Sequence, residues 1–113
     1  MPKQNVSPSS APGAVVELAR RIGANISLAR RRRRIRQGDL ADKAGISRVT
    51  LARIEGGELG TGLGPYLAVL WALGLERELD RVANPETDRE GATLEAARAG
   101  QRVRPARGLN DDF

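Results

Sequence analysis

Between Gln37 and Ile54 the chain reads QGDLADKAGISRVTLARI, and its apolar spacing admits few folds. Leu40, Ala44, Ile46, Leu51 and Ile54 give an apolar side to two short helices, Gln37 to Ala44 and Ser47 to about Glu55. Ala41 is small where those helices must cross, and Gly45 falls where the turn between them needs a positive φ. Ser47 suits the N-cap of the second helix, because its hydroxyl can accept an otherwise orphaned backbone N–H. The side of that helix turned away from Leu51 and Ile54 carries Ser47, Arg48, Thr50 and Arg53. A helix held on one side and armed with arginines on the other fits the major groove of DNA.

The 113-residue chain has a formal net charge of +5, but that charge is segregated. Residues 20–53 hold eleven basic side chains against Asp39 and Asp42, a net of +9, whereas the rest of the chain is net −4. Positive charge therefore lies on and just before the two-helix corner, as a phosphate-binding face requires. Neither cysteine nor histidine occurs, which removes disulfides, thiolate and imidazole metal ligands, any Cys nucleophile and the commonest general base. No activated Ser or Lys-bearing phosphate loop takes their place. The chain thus reads as a non-enzyme that needs no metal, cofactor or small-molecule substrate. It has no apolar run of membrane-spanning length and no signal-peptide core, so a cytoplasmic protein is expected.

Residues 1–12, rich in Pro and Ser, predict a disordered arm. Val15, Leu18, Ala19, Ile22, Ile26 and Ala29 recur at helical spacing and predict a first helix to about Arg32, with Gly23 a close-packing site. Gly56-Gly57 ends the third helix, and a glycine-rich loop leads to Pro65, which suits the first turn of a fourth. Tyr66, Leu67, Val69, Leu70 and Leu73 are its expected core residues, and Trp71 reads as core or subunit interface. Leu75 to Val82 predicts a short fifth helix with Leu79 inward, broken at Asn84-Pro85. The expected fold is all-α: a five-helix domain over 13–83, then a tail over 84–113 with room for one short helix near 92–99. A domain below ~80 ordered residues gains only a few kcal/mol from its core, so pairing of two copies is a natural supplement.

The order and spacing of Gln37, Ala41, Gly45, Leu51 and Ile54 resemble the helix-turn-helix of the phage-repressor-like (Cro/CI, Xre) family. The resemblance implies that Ser47, Arg48, Val49, Thr50 and Arg53 face base edges or flanking phosphates, and that Gln37 touches phosphate from the start of its helix. It also implies a structural ion pair between Arg30 and Glu55. Arg31, Arg32, Arg33, Arg34 and Arg36 form a run that closes the first helix. Their repulsion would be relieved by DNA phosphates, although arginine near a helix C-terminus also gains from the helix dipole. Where the family often has a polar residue after the glutamate, this chain has Gly56, so backbone N–H groups of 57–62 are the expected substitute contact.

Several further segments, RIGANISLARRRRRI, GISRVTLARIEGG, PYLAVLWALGLERELDRVANPETDREG and NDDF, are similar to those of HipB-like antitoxins, which accompany HipA-like kinase toxins. That likeness implies a homodimeric autorepressor on palindromic double-stranded DNA, at the bacterial nucleoid, with a HipA-like kinase as second partner. A free-standing Xre-type regulator without a toxin is the alternative. A protein-interaction adaptor that has lost DNA binding is a third, opposed by Arg48 and Arg53. The spaced Arg102, Arg104 and Arg107 before Asp111, Asp112 and Phe113 suit either a solubilising tail or a segment that folds on the toxin.

Overall fold

A computed structural model describes residues 10–101, whose regular secondary structure is all helical, with no strand among them. Most of the expected arm, residues 1–9, and the charged end of the tail, residues 102–113, lie outside the described residues. The chain divides after Leu79 into two compact units, ahead of the Asn84-Pro85 step expected to close the domain.

The first unit contains α1 (Gly13–Arg32), α2 (Gln37–Ala44), α3 (Arg48–Glu55) and α4 (Leu63–Ala72). Its core is the small aliphatic cluster Ile26, Leu40, Ala41, Leu51, Ile54, Val69, Ala72 and Leu73. Ala29, Ile35, Ala44, Ile46, Tyr66, Leu70 and Leu75 close around it. α3 is the hub: it packs on α2 at the predicted corner, on α1 and on α4, while α2 also packs on α4.

All four helices stop in the same way. An N–H just past each helix end reaches back five positions, from Ile35 to Arg30 (3.3 Å), Ile46 to Ala41 (3.0 Å), Glu58 to Arg53 (3.0 Å) and Leu75 to Leu70 (2.7 Å). This closure needs a left-handed residue just before it. Gly45, Gly57 and Gly74 fill that position after α2, α3 and α4, but after α1 it is Arg34, at φ 55. The arginine run is therefore not one helical band: Arg30, Arg31 and Arg32 are helical, Arg33 caps, and Arg34 turns the chain.

Two core assignments differ from expectation. α4 buries Val69 and Ala72, with Leu73 following, and so turns Leu67 outward, 41% exposed. Two residues along a helix is a rotation of about 200°, which sets Leu67 opposite Val69. On α1 the inward line is Ala19, Gly23 and Ile26, and Val15, Leu18 and Ile22 remain exposed beside it.

The fifth element is also different. Instead of an α-helix over 75–82, the chain forms a 3-10 helix, Glu76–Arg81, with Leu79 half-buried. One inward residue in ERELDR cannot anchor several α-helical turns, and short 3-10 pieces suit such connectors. In the second unit α5 spans Arg89–Gln101, longer than the short helix expected there, and no residue in it is fully buried. Asp88 caps it, its carboxylate accepting Gly91 N–H at 3.0 Å.

Candidate nucleic-acid interface

Arg30 and Glu55 lie 25 residues apart and join the end of α1 to the end of α3. Arg30 Nε donates to Glu55 Oε2 at 2.7 Å and Nη2 to Oε1 at 3.1 Å, with the two side chains only 13% and 7% exposed. Arg30 Nη1 meanwhile donates to the Ile35 carbonyl at 2.9 Å, tying down the turn after α1. Gln37 joins the same cluster, its Nε2 donating to Glu55 Oε1 at 3.0 Å. Burial works to raise the Glu55 carboxyl, but the bonds from Arg30 and Gln37 and the Arg30 charge outweigh it and hold the carboxyl below its ordinary range. The same partnership raises Arg30. Three of the four helices of the unit thus meet at one carboxylate.

One Gln37 amide N–H is thus spent on Glu55, and the residue borders the surface depression at the start of α2. That depression is lined by Arg30, Arg36, Gln37, Gly38, Asp39 and Arg48. Arg36 lies at its rim and pairs with Asp39 at 3.1 Å, both exposed. Three arginines border this hollow at the start of α2, of which Arg30 is engaged with Glu55 and Arg36 with Asp39.

α3 presents its outer side beside it. Ser47 caps the helix, its Oγ accepting Thr50 N–H at 3.0 Å and donating to Thr50 Oγ1 at 2.9 Å. Those two hydroxyls are thus engaged with each other, and Thr50 is half-buried. Arg48, Val49 and Arg53 are exposed, Val49 at 61%. Together with Ala52 and Gly56 they form one surface, flanked by Gln37 and Glu58. Ala52 is absent from the sequence-derived set. Its spacing from Arg48 and Gly56, four residues each way, was the signal for it, but an alanine carries no polar mark.

Of the arginine run, Arg31 to Arg34 are all exposed. Arg33 Nη1 donates to the Ala29 carbonyl at 2.9 Å and Arg31 Nε to Ser27 Oγ at 3.3 Å, which leaves each guanidinium with outward donors. Arg32 extends from the last helical turn. The loop amides expected to reach phosphate are partly committed: Gly57 N–H goes to the Ile54 carbonyl at 3.0 Å and Glu58 N–H to Arg53.

Two glycines permit this arrangement. A Cβ on Gly23 would lie 2.5 Å from the Ile54 carbonyl oxygen and 2.7 Å from that of Glu55, and one on Gly57 would lie 2.8 Å from Arg20 Cα. α1 and the end of α3 therefore cross backbone to backbone, which sets the reach of the Arg30–Glu55 bridge. Among known protein families and curated proteins, none matches this chain. No helix among the described residues is long and apolar enough to cross a membrane.

Proposed function

We propose that this chain is a sequence-specific DNA-binding repressor that acts as a homodimer on a palindromic operator. The observation that carries this reading is the exposed stripe Arg48, Val49, Ala52 and Arg53 on α3, beside the arginine-lined hollow at the start of α2. Arg48 and Arg53 have the fork geometry that reads guanine O6 and N7, Val49 and Ala52 suit thymine methyl groups, and the flanking arginines suit phosphates. Binding-site selection on random duplexes tests it. A palindrome with half-sites about one turn, ~34 Å, apart is expected, with affinity falling steeply as salt rises. An unenriched pool, or binding indifferent to salt, overturns the reading.

Within that reading the finer role is that of an antitoxin, supported by the likeness of the segment from Pro65 to Gly91 to HipB-like antitoxins. Its partner is then a HipA-like kinase, and the compartment the cytoplasm at the nucleoid. α5 belongs to the second unit, and its residues 92–100 are all exposed. Truncation after Asn84 should leave operator affinity intact and weaken capture of a kinase encoded beside this chain. Undiminished capture moves the contact to the first unit. The lack of any neighbouring kinase gene favours the free-standing regulator.

A further inference from the structure

α4 has no charged residue, in a chain of which 29% of residues are charged. The uncharged run is longer than the helix: from Leu59 to Leu75, seventeen consecutive residues include no Asp, Glu, Lys or Arg. A helix that is apolar all round is ordinarily covered all round. Here the core covers only the side of Val69 and Ala72. On the other side Leu63, Leu67 and Trp71, spaced four apart, are 70%, 41% and 56% exposed. Leu63 also lines a groove with Val15, Leu18 and Ile22 of α1, so the apolar surface continues from one helix to the other.

We propose that this face docks a second copy of the chain about a two-fold axis. Two copies, each net +5, repel unless they meet on a surface that itself carries little of that charge. A two-fold interface also sets the patch against itself, so any charge near the axis meets its like. A self-facing patch must therefore be apolar and uncharged together, and the outer stripe of α4 is both. The α4 stripe offers no charge that would orient a charged partner of another kind, and Glu58 lies only at the α1 groove beside it.

The proposal gives the dimer of the repressor reading its interface, yet it is measured without DNA. Trp71 is the only tryptophan of the chain, so its emission reports this face alone. Full-length protein is diluted from micromolar to nanomolar, following Trp71 emission and sedimentation together. Emission should be blue in the dimer and shift red as the dimer dissociates. Leu67→Glu, an exposed position, should keep the helical circular dichroism while raising the dimer dissociation constant by about a hundredfold or more, through like charges at the axis. Leu28→Glu, equally exposed at 41% but outside the groove, should leave it unchanged. An undisturbed Leu67→Glu dimer, or emission constant through dissociation, overturns the proposal. So does a monomer at every concentration, with blue emission meaning that the chain's own residues cover Trp71 and red emission that nothing does. Salt-sensitive binding of a single half-site by the Leu67→Glu monomer tests the DNA reading separately.

Discussion

Arg30 grips the Glu55 carboxylate through two hydrogen bonds, 2.7 and 3.1 Å long, and so couples the basic end of α1 to the last turn of α3. The pair sits behind the surface. Its effect on any nucleic acid is indirect: it fixes the angle between the outward arginines of α1 and the exposed stripe of α3.

Arg30→Ala should therefore act on stability, unlike its neighbours. Removing one partner of this part-buried pair leaves an uncompensated charge, at a cost below the ~3–5 kcal/mol of a fully buried one. For a domain of this size each kcal/mol lowers Tm by about 4–8 °C. Arg32→Ala, in an exposed side chain, should stay within about 0.5 kcal/mol of the parent. Thermal unfolding of the two variants decides it. Equal melting temperatures would place Arg30 with the surface set.

Glu55 gives this bridge a pH signature. Its carboxyl is held below the ordinary range in the folded state, so its stabilising contribution is complete above the unfolded value of about 4.3 and is lost as pH falls through the lower folded value. Urea unfolding between pH 7 and 3 should lose stability more steeply for the parent than for Glu55→Gln. Parallel curves would mean that Glu55 is as free to protonate in the folded chain as in the unfolded one.

Gly23→Ala separates helix propensity from packing. In an exposed helix the change would stabilise by about 0.5–1 kcal/mol. Here the new Cβ would meet backbone of Ile54, Glu55 and Gly57 at 2.5 to 2.9 Å, atoms that cannot rotate away. The expected result is destabilisation by about 1–3 kcal/mol, as for other overpacked sites. A neutral or stabilised variant would mean that α1 and α3 can separate freely.

The corner itself was legible because it is local: Gly45, Ser47 and the aliphatic spacing each act within a few residues, and α2 and α3 have the expected limits. The same holds for the start of α4 around Pro65. What pattern could not supply was direction in three dimensions. Leu67 and Val69 are equally apolar, and only the position of α2 decides which faces inward. Gln37 looks like a surface donor until Glu55 arrives from 18 residues away. The end of α1 at about Arg32 was legible, but the left-handed turn falls on Arg34, where no glycine marks it.

Arg34 makes that last difference measurable. A left-handed conformation costs a residue with a Cβ roughly 1–2 kcal/mol relative to glycine. Arg34→Gly should raise stability by about that amount, while removing one exposed cation beside the proposed DNA face. Chemical unfolding and DNA titration should therefore move in opposite directions, with tighter folding and weaker binding. A variant that gains stability and keeps full affinity would remove Arg34 from the phosphate set.

The two arginine groups should separate by the kind of loss they cause. Arg48 and Arg53 lie on the exposed stripe of α3, where a bidentate fork on guanine discriminates by about 1–3 kcal/mol at one position. Arg48→Ala and Arg53→Ala should each relax the selected motif at one base pair per half-site and leave the others intact. Arg32→Ala and Arg33→Ala lie on the flank and should weaken all sequences alike, reducing the salt slope by about one phosphate contact each. Arg48 borders both the hollow at α2 and the stripe of α3, so its loss alone should also lower the salt dependence. An unchanged motif from the Arg48 variant would remove it from base recognition and leave it a phosphate contact.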